Sequence, residues 1–385
     1  MGLTAAALVA AVAATGCGGS NEASIYLSVP QQGADAPSSK QMIEAARYAV
    51  DEHNRNAKVK VKLVVLDDAE GTRWSAEKVK ANARRAADDD HAVAYIGERN
   101  SEATAVAMPI LNRAGLAHVA PTSSAVALTG PDGIDPKAPE RYRPTGKRTF
   151  GRVIPSDRFQ AAAITQHLRS ERVQRLFVVD DGALYGRDLA TAVAAFAQQS
   201  GIKVADRRTI SPDAPDYRQL AARVKRSGAD AVVFGGGPAS RAARVLSDIA
   251  AANPDIKLVG GDALAHDAFV DDLTPAAARR LRVTAPRVRP VSDKRHQALV
   301  RMFGADADRY VWLTYEATQA VLAAVEKAGG DPDRAEVLEH LFAGSRDGVF
   351  GRWRFDKNGD STLTVYELLA VRNGRLVPAT TTPRS

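Results

Sequence analysis

The sequence predicts an α/β protein made of two doubly wound, parallel-sheet lobes. Short β-branched runs alternate with Ala-rich amphipathic segments, and this alternation occurs in two successive blocks. A stretch rich in Pro, Gly and charge separates the blocks, and the last third turns helical before closing on strands. A length of 385 residues suggests at least two domains. At 45% hydrophobic and 25% charged, the composition is that of a soluble globular chain.

In order, "SIYLSV" (Ser24–Val29) reads as the first strand. The helix after it places Met42, Ala45, Ala46, Ala49 and Val50 on one face. Val59–Asp68 alternates and then runs apolar, as a strand. A helix over Thr72–Ala87, the strand Ala92–Gly97, the helix Ser101–Gly115 and the short strand "AHVA" complete the first block. Ser at the start and Gly after the end of the Ser101 helix fit capping chemistry. Pro131–Lys147 reads as a surface loop.

The second block predicts strands at Arg175–Asp181, Lys203–Ile210, Asp230–Gly236 and Ile256–Gly261. Helices stand between them at Tyr185–Ser200, Tyr217–Ser227 and Ala239–Ala251. Right-handed crossovers make both blocks doubly wound. After Arg282–Val288 come helices at Lys294–Phe303, Asp308–Ala328 and Asp333–Phe342. Two strands close the chain, Phe350–Phe355 and Thr364–Val377.

Catalytic motifs are missing. There is no G-x-S-x-G and no H-E-x-x-H, so nucleophilic and zinc hydrolysis have no seed. A single cysteine permits neither disulfides nor a Cys-based zinc site. "GGGPAS" (Gly235–Ser240) fits no phosphate loop and reads as a tight strand-to-helix turn. In "DKNGDSTLTVYE" (Asp356–Glu367) the acids have calcium-loop spacing, but the glycine stands at position 4 instead of 6. Asn358-Gly359 therefore reads as a hairpin turn. The net charge of +7 comes from 52 basic residues interspersed with 45 acidic ones, with no basic run, which argues against nucleic-acid binding. No metal, cofactor or catalytic residue is expected.

Small hydroxyl residues at strand-to-helix loops remain. Ser101 opens a helix, where a free hydroxyl and unpaired amides attract a carboxylate or phosphate. Thr122, Ser123 and Ser124 follow the next strand. Both loops lie outside the carboxyl ends of strands, where open α/β sheets bind ligands. On local sequence alone, Ser101 and Ser124 read first as plain helix N-caps with no ligand.

The N-terminus offers a second clue. An uncharged Ala/Val/Leu stretch of signal-peptide length ends at Gly16-Cys17, which resembles a bacterial lipobox. Ala14 stands where that motif usually has Leu, and no Lys or Arg precedes it. The resemblance implies a signal peptide over 1–17, lipidation of Cys17 and membrane anchoring through a flexible tether at 18–23.

The order of segments from about Ile25 to Arg375 resembles the periplasmic Leu/Ile/Val-binding protein family, the type I solute-binding proteins of ABC importers. "YIGERNSEATAVAMPILNRAGL", "FVVDDGALYGRDLATAV", "DYRQLAARVKRSGADAVVFGG", "YVWLTYEATQAVLAAVEKAG" and "FGRWRFDKNGD" carry it. It implies two lobes, 24–152 with 286–347 and 153–285 with 348–385. Three hinge crossovers would lie near Gly151–Pro155, Ala285–Val288 and Gly348–Gly351. By the same resemblance Ser101, Thr122 and Ser124 take an amino acid's head group, Tyr185 covers it, and Asp262 pairs with its ammonium. Ser38 and Gly237 stand where branched-chain binders often have aromatic pocket walls, which makes a Leu, Ile or Val ligand doubtful and leaves space for a bulkier or more polar one.

The expectation is an extracytoplasmic, lipid-anchored monomer that captures an amino acid or similar zwitterion for an ABC permease and catalyses nothing. The alternatives are a ligand sensor signalling to a membrane partner, or an enzyme on a Rossmann-like scaffold.

Overall fold

The structure is a computed structural model that describes residues 22–131, 136–238, 241–288, 294–304 and 307–379. Cys17 and the proposed signal segment lie outside these residues. Within the expected tether, Glu22 and Ala23 are already part of the first strand.

β1 (Glu22–Val29) leads through α1 (Ala36–Asn56) to β2 (Lys60–Asp67). A two-rung hairpin, β3 (Ala69–Glu70) and β4 (Arg73–Trp74), precedes α2 (Ala76–Ala87). Then follow β5 (Ala92–Gly97), α3 (Ser101–Arg113), β6 (Ala117–Ala120), α4 (Ala138–Tyr142) and β7 (Phe150–Arg152). These strands form a wholly parallel sheet in the order β2-β1-β5-β6-β7.

Across α5 (Asp157–Ser170) the chain starts a second sheet. Its alternating elements are β8 (Arg175–Asp180), α6 (Leu184–Gln199), β9 (Lys203–Thr209), α7 (Arg218–Ser227), β10 (Ala231–Gly235) and α8 (Ala242–Ala252). β11 (Lys257–Gly260), α9 (Asp267–Asp271), α10 (Pro275–Arg280) and β12 (Leu281–Pro286) follow. The chain then returns to the first sheet through α11 (Lys294–Phe303), α12 (Arg309–Ala328), α13 (Arg334–Phe342) and the hairpin β13 (Arg346–Gly348)–β14 (Gly351–Trp353). It ends on the second sheet as β15 (Tyr366–Arg372) and β16 (Arg375–Pro378).

The second sheet runs β16-β15-β12-β11-β10-β8-β9, parallel except for its last two strands. Without those two edge strands, both sheets share one doubly wound order. Each has a switch point where loops leave neighbouring strands in opposite directions, between β1 and β5 and between β8 and β10. The strands between such helical layers are buried on both faces, which is why β5 and β10 read as unbroken apolar runs.

One core joins distant parts of the chain. Met42, Ala45, Ala46 and Ala49 of α1 pack with Val311, Tyr315, Val321 and Val325 of α12, and with Trp353 and Phe355. Full burial of each larger side chain contributes about 1.5–3 kcal/mol. Trp353 also donates its indole N–H to Glu316 Oε1 at 2.6 Å, and Val349 N–H donates to Oε2 at 2.8 Å.

Several elements differ from expectation. The Thr72 helix begins at Ala76, because Ala69–Trp74 folds as the small hairpin. The surface loop at 131–147 contains α4, whose Ala138 and Tyr142 are buried, while Asn112 holds Thr145 and Lys147. The segment Thr364–Val377 is two strands, turned at Asn373-Gly374 with φ of 52° and 75°. The crossover expected at Gly348–Gly351 comes later in the chain. Val349, Trp353 and Phe355 are apolar and buried in the first core, so the chain rejoins the second sheet only at β15. Asn358-Gly359 does form a turn, with Gly359 at φ 95° and Asp356 accepting from the amides of Asn358 and Asp360.

Candidate functional site

Ser101 is the first residue of α3, with three residues between it and a tight exit from β5. Gly97 makes that exit possible: its φ is 139°, and a Cβ there would meet the Ser28 carbonyl oxygen at 2.5 Å. Asn100 caps the helix by accepting from Ala103 N–H, and the Ser101 hydroxyl oxygen accepts from Ala125 N–H at 3.2 Å. That bond joins the Ser101 loop to the loop after β6. Thr122 reinforces it by donating to the Arg99 carbonyl at 2.7 Å. Ser124 accepts the Asp157 amide on its own carbonyl at 2.9 Å. Ser101, Thr122 and Ser124 are therefore buried on adjoining loops, each at or below 5% exposure.

Asp262 follows β11. Its Oδ1 accepts from Gln160 Nε2 at 2.8 Å and from the Tyr185 hydroxyl at 2.9 Å, and its Oδ2 accepts from the Tyr310 hydroxyl at 3.2 Å. Gln160 comes from α5, Tyr185 from α6 and Tyr310 from α12, so donors from both sheets converge on one carboxylate. The bond to Tyr185 needs Gly261, where a Cβ would lie 2.2 Å from the Tyr185 hydroxyl oxygen. Burial pushes the Asp262 carboxyl up, opposed by the Gln160, Tyr185 and Tyr310 hydrogen bonds. Asp157, fully buried at the start of α5, is pushed well above the carboxylate range by burial and then by Asp262.

Other contacts close the space between the sheets. Tyr185 N–H donates to Glu102 Oε1 at 2.8 Å, and Ala127 N–H donates to Asp188 Oδ2 at 2.9 Å. The Arg99 guanidinium lies 5.2 Å from the Tyr310 ring centre and pairs with Asp35 at 2.8 Å. Arg152, wholly buried, donates to the carbonyls of Ser123 and Ala125 and to Asp360 Oδ1, the last at 2.7 Å. The acid-rich turn at Asp356–Asp360 thus supplies a counter-charge to the arginine that shapes the hydroxyl loop.

Tyr185 and Asp262 meet directly, and the loops that carry Ser101, Thr122 and Ser124 are joined through Ser101–Ala125 and Thr122–Arg99. Ser38 lies elsewhere in this region: it donates to Asp308 Oδ2 at 2.6 Å, and that carboxylate stands 3.8 Å from His266 Nδ1. Gly237 donates its N–H to Asp181 Oδ2 at 3.2 Å beyond β10. Sequence reasoning did not single out Gln160, Asp157 or Tyr310. Their signal was positional, since Ser156 and Asp308 are N-caps that place these polar residues on the first turns of α5 and α12.

A profile for the family described as "Periplasmic binding protein" matches residues 24–375. The chain belongs to the periplasmic binding protein family. This periplasmic binding protein is 27% identical over 359 residues to the Leu/Ile/Val-binding protein BraC3 of Rhizobium johnstonii, covering 92% of this chain and 93% of the relative. Its fold is that of the leucine-binding protein LivK of Thermotoga maritima, at a TM-score of 0.79 and 21% identity, covering 93% and 98% of the two chains. An ABC transporter substrate-binding protein of Desulfitobacterium hafniense, solved in complex with Leu, matches at a TM-score of 0.75 and 26% identity, covering 93% and 100%.

Proposed function

We propose that this periplasmic binding protein works outside the cytoplasm, closing on an amino acid or similar small zwitterion and presenting it to an ABC permease. The observation that carries this reading is the Asp262 carboxylate, held by Gln160, Tyr185 and Tyr310 from both sheets, next to a buried hydroxyl loop at a helix N-terminus. An acid suits an ammonium, and the Ser101 amide end suits a carboxylate. Together they describe an α-amino acid head group. Gln160, Tyr185 and Asp262 lie on one side and Ser101, Thr122, Ser124 and Tyr310 on the other, so a ligand between them favours the closed arrangement by hinge motion. The names of the relatives, Leu/Ile/Val-binding and leucine-bound, support amino acids as the first class to try. Lipid anchoring at Cys17 belongs to the same proposal and is tested by the mass of the membrane fraction against Cys17→Ser.

A thermal-shift screen of the purified protein decides the ligand class. The panel holds the amino acids, small peptides, polyamines and aromatic acids. A ligand at about 100 times its Kd adds roughly 2.7 kcal/mol of stability. Shifts confined to zwitterionic amino acids support the head-group site. Shifts given by carboxylic acids without an amine, and by no amino acid, refute it.

A further inference from the structure

Only Glu98, Arg99 and Asn100 stand between β5 and α3, and Glu98 turns inward to full burial. Its N–H donates to Thr104 Oγ1 at 3.1 Å, and its carbonyl accepts from Ser123 Oγ at 3.1 Å. The Thr104 and Ser123 hydroxyls are themselves 2.8 Å apart. The backbone of one residue thus couples the loop that ends in Ser101 to the loop that carries Thr122 and Ser124.

None of those backbone bonds requires an acid. Glu98 Oε1 accepts from the Tyr95 hydroxyl at 2.6 Å, while Oε2 has no hydrogen-bond partner. Three titratable groups face it: Tyr95 from β5, His118 from β6, and Asp68 from the segment after β2. His118 Nε2 lies 2.7 Å from the Gly97 carbonyl, which makes it the protonated nitrogen, and 3.7 Å from Glu98 Oε2. Burial keeps that imidazole neutral, its pKa lowered to about 4. Arg99 spends its charge on Asp35. Burial, with Asp68 as a like charge, therefore holds the Glu98 carboxyl well above the usual range against the hydrogen bond from Tyr95.

We propose that Glu98 is a positioning residue for ligand capture, a buried acid with one unpartnered oxygen beneath the Ser101 and Thr122–Ser124 loops whose side chain keeps the two loops together. The proposal rests on the reading that these loops hold the ligand head group, yet loop order is measurable without any ligand. An ionised Glu98 would leave a buried charge with no hydrogen-bond partner at Oε2, which favours arrangements of the loops that admit water.

The test is hydrogen exchange with mass detection on the full chain, from about pH 6 to about pH 9.5, with intrinsic exchange rates divided out. Peptides over 98–104 and 122–127 report the loops, and β8 and β10 serve as internal reference. Because parted loops let Glu98 ionise at its ordinary value, wild type should lose loop protection as pH rises through this range, by up to about tenfold for each pH unit, until Glu98 ionises in the closed state as well. Glu98→Gln, which can still accept from Tyr95, should keep its protection throughout. Matching profiles in the two proteins, flat or falling, overturn the proposal. Asp68→Asn removes the like charge that raises Glu98 in the closed state, so the fall should level off at lower pH and reach a smaller total loss, and a profile identical to wild type also overturns the proposal. The amino-acid panel run on the same proteins separates the two readings: loop order that follows Glu98, with no amino acid bound by any variant, supports the positioning role and refutes the head-group reading.

Discussion

Asp262→Asn separates charge from hydrogen bonding at the centre of the site. Asn can keep all three bonds. Its Oδ1 accepts from Gln160 Nε2 and the Tyr185 hydroxyl, as the carboxylate does at 2.8 and 2.9 Å, and its Nδ2 donates to the Tyr310 oxygen 3.2 Å away. Contacts between the sheets survive, so folded stability should change by less than about 1 kcal/mol. The loss is the negative charge that faces an ammonium. Hydrogen bonds to charged groups contribute about 1.5–3 kcal/mol, which converts to roughly 10- to 150-fold in Kd. Calorimetric titration should use the amino acid giving the largest thermal shift and its analogue lacking the amine, on both proteins. The amino acid should weaken by that factor while the analogue stays within about twofold. An equal loss for both compounds, or no loss for the amino acid, refutes the assignment of Asp262 to the ammonium.

Three other outcomes follow from the geometry. Asp68 is raised to about 7 by burial, and the nearby Asp67 adds to the effect. Its folded pKa exceeds its unfolded one, so its contribution to stability is full below about pH 4 and lost as pH rises to about 7, at most about 4 kcal/mol. Asp68→Asn should flatten that part of the urea stability profile, and an unchanged slope would contradict the cause given. In Gly261→Ala the new methyl would press on the Tyr185 hydroxyl at 2.2 Å and Leu189 Cδ2 at 2.7 Å. Such overpacking costs about 1–3 kcal/mol, and the displaced ring should take ligand affinity with it, so a wild-type Kd would count against the site. Asp360→Ala leaves the buried Arg152 guanidinium without its counter-charge, a loss of about 3–5 kcal/mol. Arg152 retains its bonds to Ser123, Ala125 and Thr129, which favours the lower end, and a Tm within about 2 °C of wild type would show the pair to be dispensable.

Strand positions were legible because strands covered on both faces are apolar throughout, as at Ala92–Gly97 and Ala231–Gly235. α5 was not. Its buried face starts with Asp157 and Gln160 before reaching Ala161, Ile164 and Leu168, so a search for apolar period finds half a helix. The late crossover escaped for the opposite reason. Val349 and Trp353 signal burial, but nothing local tells which of two sheets will cover them. The hydroxyl residues were visible at strand ends, whereas Tyr310 and Gln160 reach Asp262 only through long-range packing. Neither neighbours Asp262 in sequence, and both sit on helices whose remaining pattern is ordinary core. The calcium-like acids of Asp356–Asp360 carried a correct local reading, a turn, and hid a distant one, the partner of Arg152.

The route of the chain between the sheets has a consequence for biosynthesis. Tyr315 meets Glu52 across 263 positions, and the first core is complete only when the Trp353 hairpin has emerged. The second sheet, by contrast, obtains five consecutive parallel strands from Arg175–Pro286 without waiting for the C-terminus. A chain made from its N-terminus therefore assembles its middle first and its beginning last. High contact order slows the closing of that first core. Pulse proteolysis of chains stalled near residue 300 should find the middle resistant and the N-terminal third still cleaved, and early protection of the N-terminal third would refute this order. The part of the chain that leaves the ribosome first is then the last to become rigid.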